Sequence, residues 1–104
     1  MKQFEVHMVN LDPTIGSEIK KSRPAVIISP DVINRNLNTV IVAPLTHIIK
    51  RYPSRVPSKF NDQIGEIVLD QIRAVDKMRL TKKLGILDPQ TRDDVKKVLQ
   101  TMFS

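Results

Sequence analysis

Residues 11–28 read Leu11-Asp12-Pro13-Thr14-Ile15-Gly16-Ser17-Glu18-Ile19-Lys20-Lys21-Ser22-Arg23-Pro24-Ala25-Val26-Ile27-Ile28, and the fold is read outward from them. Glu5 to Leu11 mixes apolar and polar positions and predicts a strand leading into this stretch. Asp12 to Ser17 is turn chemistry, with Pro13 presetting φ and Gly16 free to adopt φ > 0. The charged run Glu18 to Arg23 continues the loop. Pro24 opens a second strand, Ala25 to Ile28, whose four consecutive apolar residues imply burial on both faces.

Beyond it, short β-branched segments alternate with breakers. Ser29 reads as an N-cap with Pro30 at the first position of a brief helix that ends near Asn34-Arg35-Asn36. Thr39 to Ala43 is a third strand, with Pro44 better placed at its end than in its middle. Thr46 to Tyr52 reads as a loop and Ser54 to Pro57 as a poor edge strand. Glu66 to Leu69 reads as a buried strand, broken at Asp70-Gln71 and resumed over Ile72 to Val75. Met78 to Leu80 is a last short strand or turn. The clearest element is the last: Asp88 caps a helix with Pro89 at its first position, and Val95, Val98, Leu99, Met102 and Phe103 form its core-packing stripe. Short strands and one terminal helix predict a small, strongly bent sheet or barrel with a helix docked on it. No repeat or linker divides residues 1–104, which read as one domain.

Composition narrows the chemistry. The chain has 104 residues, no cysteine and a formal net charge of +6 from 17 Lys and Arg against 11 Asp and Glu. Absence of cysteine removes disulfides, thiolate metal sites and a cysteine nucleophile, and is consistent with a cytoplasmic protein. The opening residues are charged rather than signal-like, and no apolar run approaches the length of a membrane span. The basic excess favours an anionic partner. Aromatic residues make up only 4% with no Trp, so a nucleic acid would be held by Arg, Lys and backbone groups rather than on stacking platforms. His7 and His47 have no cysteine companions, so neither a metal nor another cofactor is expected. A His7–His47 acid–base pair requires the first strand to meet the loop after the third. Otherwise His7 is a strand residue with a satisfied ring and His47 a solvated loop residue.

Three polar clusters lie beside strand ends: Ser17, Glu18, Lys20, Lys21, Ser22 and Arg23; Thr46 and His47; Asp70, Gln71 and Arg73. Brought together they would make a basic groove holding a carboxylate. Apart, they are solvated loops with an ordinary ion pair. Such a groove suits RNA scission by the substrate's own 2′-hydroxyl. That reaction needs a proton acceptor, charge stabilisation on the phosphorane and a proton for the leaving 5′-oxygen.

The sequence resembles the MazF/PemK-type toxins in four ordered motifs. These are Leu11 to Glu18 (a D-P-T-x-G-S-E loop), Arg23-Pro24-Ala25-Val26-Ile27, Val42-Ala43-Pro44-Leu45-Thr46, and Leu69-Asp70-Gln71-Ile72-Arg73-Ala74-Val75-Asp76, with Arg79-Leu80 following. The resemblance runs from about Glu5 to the final helix. It implies an SH3-like CcdB/Kid/MazF-type barrel of short antiparallel strands with a C-terminal helix, and a homodimer. It also implies a type II toxin that cuts single-stranded RNA, mRNA above all, without metal, leaving a 2′,3′-cyclic phosphate and a 5′-hydroxyl. The implied inhibitor is an antitoxin whose acidic, disordered segment covers the RNA groove.

By the same resemblance the catalytic arginine maps to Arg23 and the catalytic threonine to Thr46. The general base maps to either Asp70 or Glu18, and Glu5 matches a further polar position near that site. Ser17 stands where some members have histidine, and Val68 where some have arginine. Lys20, Lys21 and Arg73, with Ser17, Gln71 and His47, are the expected RNA contacts. A CcdB-like gyrase poison on the same fold needs a C-terminal Trp-Gly-Ile, whereas this chain ends Met102-Phe103-Ser104. A non-catalytic RNA-binding barrel is opposed by the presence of both Arg23 and Thr46.

Overall fold

The computed structural model describes all residues, Met1–Ser104. Its strands are β1 (Glu5–Asn10), β2 (Ser22–Ile27), β3 (Thr39–Thr46), β4 (Arg55–Phe60), β5 (Gln63–Val68), β6 (Arg73–Asp76) and β7 (Leu80–Ile86). Helix α1 (Asp31–Asn36) precedes β3, and helix α2 (Pro89–Phe103) ends the chain. Single 3-10 turns, Leu69–Gln71 and Lys77–Arg79, flank β6. All strand pairs are antiparallel, in the order β4-β5-β3-β2-β1-β7, and β6 also pairs with β3. The sheet is curled, the mainly β architecture with a C-terminal helix that the sequence implied.

Strand β3 organises this curl. It pairs with β2 through Val42, Ala43 and Pro44, with β6 through Thr39 to Val42, and with β5 through Leu45 and Thr46. It therefore runs through Pro44 to Thr46, three residues beyond the expected end. Proline is tolerated because Pro44 falls between the β6 and β5 ladders, where its missing N–H leaves no gap in either.

Side chains alternate across the sheet into two cores. Val26, Ala43, Val56, Ile67 and Leu69 pack with Val95 of α2 on one face. Val9, Ala25, Ile27, Val40, Val42 and Val75 fill the other. On α2, Val98, Leu99 and Met102 join the first core as expected, but Phe103 is 70% exposed. At 100° per residue it lies roughly 90° from the centre of the stripe formed by the other four, on the last helical residue.

Three other expectations change. Helix α1 starts at Asp31 with Pro30 in the cap position. Ser29 does not cap it. Its buried hydroxyl donates to Asn34 Oδ1 (2.5 Å) and accepts from Ile41 N (3.0 Å), tying α1 to β3. The poor strand at 54–57 is a full hairpin arm, β4, joined to β5 by Asn61-Asp62, both at positive φ (48° and 62°) as a two-residue turn requires. Of the short strand or turn read at 78–80, the turn is what forms, as a 3-10 turn, and it leads into a seven-residue strand, β7, where none was expected. No helix is long and apolar enough to cross a membrane.

A candidate RNA-cleavage site in two clefts

The register of β2 on β3 pairs Ile27 with Val42, Val26 with Ala43 and Ala25 with Pro44. Extended by two residues it sets Arg23 against Thr46. The ladder stops before that point, and both side chains line one open cleft together with His47 and Glu66. Arg23 is held from behind: its Nε donates to the Lys20 carbonyl (3.1 Å), leaving the terminal guanidinium nitrogens without a protein partner. Thr46 is buried, and its Oγ1 accepts from Ile48 N (3.2 Å). Gly65 makes this packing possible, since a Cβ there would collide with the Thr46 carbonyl oxygen. Two nitrogen donors and one hydroxyl thus face a concave surface, an arrangement suited to a phosphate.

A second cleft is lined from β3 by Pro44, the residue before Leu45 and Thr46 of the first. It is lined by Glu18, Ile19, Pro44, Asp70, Gln71 and Arg73. The expected site residues therefore divide: Arg23, Thr46 and His47 in one cleft, Glu18, Asp70, Gln71 and Arg73 in the other. Ser17, Lys20 and Lys21 are exposed on the loop above and line neither. That loop is anchored by Gln71, whose Oε1 accepts from Ile19 N (2.9 Å), and by Asp12, whose Oδ1 accepts from Lys21 N (2.9 Å). Arg73 donates to the Leu11 carbonyl (2.9 Å) and so also braces the loop base.

The two candidate bases differ in their surroundings. Asp70 accepts from Ser54 Oγ (2.9 Å) and from Arg55 Nε (3.2 Å) and Nη2 (3.4 Å). Burial alone would raise its carboxyl, but the bonds from Arg55 and Ser54 outweigh it and hold it below the usual aspartate range. Glu18 is exposed. Its Oε1 accepts from Ile15 N (2.7 Å), and its other oxygen has no protein partner.

Glu5 lines neither cleft. It is buried against His7 Nε2 (3.0 Å), Lys83 Nζ (3.1 Å) and Lys2 N (3.1 Å). Burial would raise this carboxyl, but those bonds overcome it and lower it to about 2. His7 is thus a satisfied strand residue, and it does not line the cleft that exposed His47 lines. No three His, Asp or Glu side chains converge.

Two participants escaped the sequence reading. Glu66, 2% exposed, accepts from Lys50 N (3.0 Å) and Arg51 N (2.9 Å) and lies 3.8 Å from Arg55 Nη1. Arg55 bridges Glu66 and Asp70, and so links the clefts. A lone charge within the apolar run Ile64 to Leu69 was the available signal for Glu66. Nothing in the sequence pairs Arg55 with either acid.

Comparison with known proteins bears on this geometry. A family model described as "PemK-like, MazF-like toxin of type II toxin-antitoxin system" matches residues 2–103. The chain is 34% identical to Endoribonuclease EndoA of Bacillus subtilis, covering 96% of this chain and 91% of that protein. It is 39% identical to Endoribonuclease MazF of Staphylococcus saprophyticus, covering 91% and 84%. Its fold is similar to that of a mycobacterial endoribonuclease solved in complex with its cognate antitoxin. That match has a TM-score of 0.83 at 24% identity and covers 97% of this chain and 92% of the other.

Proposed function

The chain belongs to the PemK-like, MazF-like toxins of type II toxin–antitoxin systems, and from that premise we propose how this endoribonuclease cuts single-stranded RNA: Arg23 and Thr46 act on one scissile phosphate. The observation that carries the reading is the β2–β3 register, which sends these two side chains into one cleft. The relatives' shared designation as endoribonucleases favours RNA over gyrase as the target.

In this mechanism the substrate's 2′-oxygen attacks phosphorus as its proton passes to a carboxylate. The P–O5′ bond breaks, and the 5′-oxygen takes up a proton, leaving a 2′,3′-cyclic phosphate and a 5′-hydroxyl. Arg23 offers its free guanidinium nitrogens to the phosphorane oxygens, stabilises the charge on the departing 5′-oxygen, and that oxygen takes its proton from Arg23 or from water. The Thr46 hydroxyl, accepting from Ile48, has its own proton to donate to a phosphate oxygen. Glu18 suits the base better than Asp70, because both Asp70 oxygens are engaged by Arg55 or Ser54. RNA approaching from the neighbouring cleft would meet Gln71 and Arg73 under the Lys20–Lys21 loop. No metal ligand enters any step.

The whole chain acts as one domain, in the cytoplasm, as a homodimer whose antitoxin presents an acidic disordered segment to the basic Lys20–Lys21–Arg23 loop segment at the clefts. Net charge +6 suits both polyanions, and the antitoxin complex of the mycobacterial relative supports such a partner.

The test is to incubate the pure protein with a long mixed-sequence RNA in EDTA and map the new ends. Cleavage at a short recurring motif with cyclic-phosphate ends is expected. Activity that appears only with added divalent ion, on a short unstructured substrate, would overturn the mechanism.

A further inference from the structure

A buried carboxylate is costly unless it is fully partnered, and an apolar residue in a strand core costs nothing of the kind. Glu66 lies beside Ile67, Val68 and Leu69 in such a core, yet it lines the cleft. Its two hydrogen-bond donors both belong to the segment that leaves β3, and Arg55 of β4 adds an ion pair at 3.8 Å. Oε1 accepts from Lys50 N and Oε2 from Arg51 N, one oxygen per amide. Arg51 has φ 60°, a left-handed conformation that turns successive N–H groups toward one anion. Residues 47–51 are exposed and join no strand, and this bidentate contact anchors the far end of the segment at Lys50 and Arg51. At the near end of the same segment, Ile48 N–H reaches Thr46 Oγ1. Glu66 is also the β5 register partner of Thr46.

We propose that Glu66 is the positioning residue for Thr46: by holding the Lys50 and Arg51 amides it fixes residues 47–51, so that the Ile48 N–H occupies one lone pair of Thr46 Oγ1 and the hydroxyl proton is directed into the cleft. The inference rests on the phosphate-binding role of Thr46 proposed above. Without the clamp the hydroxyl rotor loses its one protein partner and spends its proton elsewhere. Loss of orientation at a reacting group is felt in the chemical step more than in binding, because RNA affinity is spread over many phosphate contacts.

Glu66→Gln preserves shape and one acceptor oxygen but places an NH₂ against an amide N–H. On an oligonucleotide spanning one mapped cleavage site, single-turnover cleavage at saturating RNA should fall between about ten- and a hundred-fold. The dissociation constant should change less than about three-fold, and amide exchange at Lys50 and Arg51 should accelerate. A double-mutant cycle separates this role from a merely structural one. In a Thr46→Val background Glu66→Gln should have little further effect, whereas in an Arg23→Lys background its full effect should persist. Ile48→Pro removes the N–H without touching the buried carboxylate and should reproduce the loss. It carries the test if Glu66→Gln fails to fold. If Thr46→Val is strongly impaired but Glu66→Gln multiplies that defect in full, the positioning role is overturned and the cleavage site stands. If Thr46→Val cleaves at the wild-type rate, the proposed site falls and this inference with it.

Discussion

At the residue scale, the decisive feature is that Arg23 is restrained at one end only. Its Nε is engaged by the Lys20 carbonyl and its fork is open. A group that stabilises the phosphorane contributes more in the transition state than in bound substrate. Arg23→Ala should therefore lower single-turnover cleavage at saturating RNA by on the order of 10²–10³-fold with a much smaller change in affinity. Lys20→Ala and Lys21→Ala should do the reverse, weakening binding and reducing its salt dependence by about one ion each. Folded Arg23→Ala that cleaves at near the wild-type rate once saturated would reduce Arg23 to an anchor. Gly65 is the complementary case. Its space is taken by the Thr46 carbonyl, so Gly65→Ala must push β5 from β3 where the hydroxyl is held. Lower stability together with slower cleavage is expected, and thermal melts paired with single-turnover rates would show both.

At the element scale, the β4–β5 hairpin forms one wall of the site, and its geometry depends on two residues at positive φ. Asn and Asp tolerate that conformation and glycine does so freely, whereas a β-branched residue does not. Asp62→Gly should leave stability unchanged or slightly higher, and Asp62→Val should lower the unfolding free energy by about 1–2 kcal/mol. Equal denaturation midpoints for the two variants would contradict the two-residue turn. The hairpin also carries Phe60, which approaches Gly85 of β7 and packs against the first core, so the turn sets the width of the cleft as well as the strand register.

At the scale of the whole molecule, three carboxylates, Glu5 and Glu66 buried and Asp70 exposed, tie distant parts of the chain together: Glu5 joins β1 to β7, Glu66 joins β5 to residues 50–55, and Asp70 joins the turn after β5 to β4. All are lowered in the folded protein. A carboxyl with a depressed folded value binds fewer protons when folded than when unfolded, so its stabilisation is full above the unfolded value and is lost as pH falls through the folded one. For Glu5 that window runs from 4.5 down to about 2. The melting temperature should fall steeply across it, and Glu5→Gln should flatten part of that fall. An acid profile unchanged by Glu5→Gln would mean that the His7–Glu5–Lys83 group contributes nothing net. The proposed homodimer predicts a species of twice the 11.9 kDa chain mass in sedimentation equilibrium. A concentration-independent species at the single-chain mass would contradict it.

The elements legible in the sequence are those determined by neighbours along the chain. The buried strand at Ala25 to Ile28, the loop of Asp12 to Ser17 and the capped helix from Pro89 follow from local periodicity, proline and glycine, and the same short motifs carry the family resemblance. The Asn61-Asp62 turn was equally local and is readable in retrospect, because both residue types tolerate the left-handed region. The remaining decisions are cross-strand. That Arg23 meets Thr46, that Asp70 is taken up by Arg55, that Glu66 holds the amides of Lys50 and Arg51, and that Glu18 and Asp70 line a separate cleft all depend on β3 sharing its edges among β2, β5 and β6. Residues 15 to 52 positions apart have no common signature in a linear chain. Residue order along the chain sets which residue types are available to handle a phosphate and roughly where each strand lies. Which of them share a cleft, and which carboxylates are neutralised by arginine, follows from register and desolvation, which do not exist until the sheet has closed.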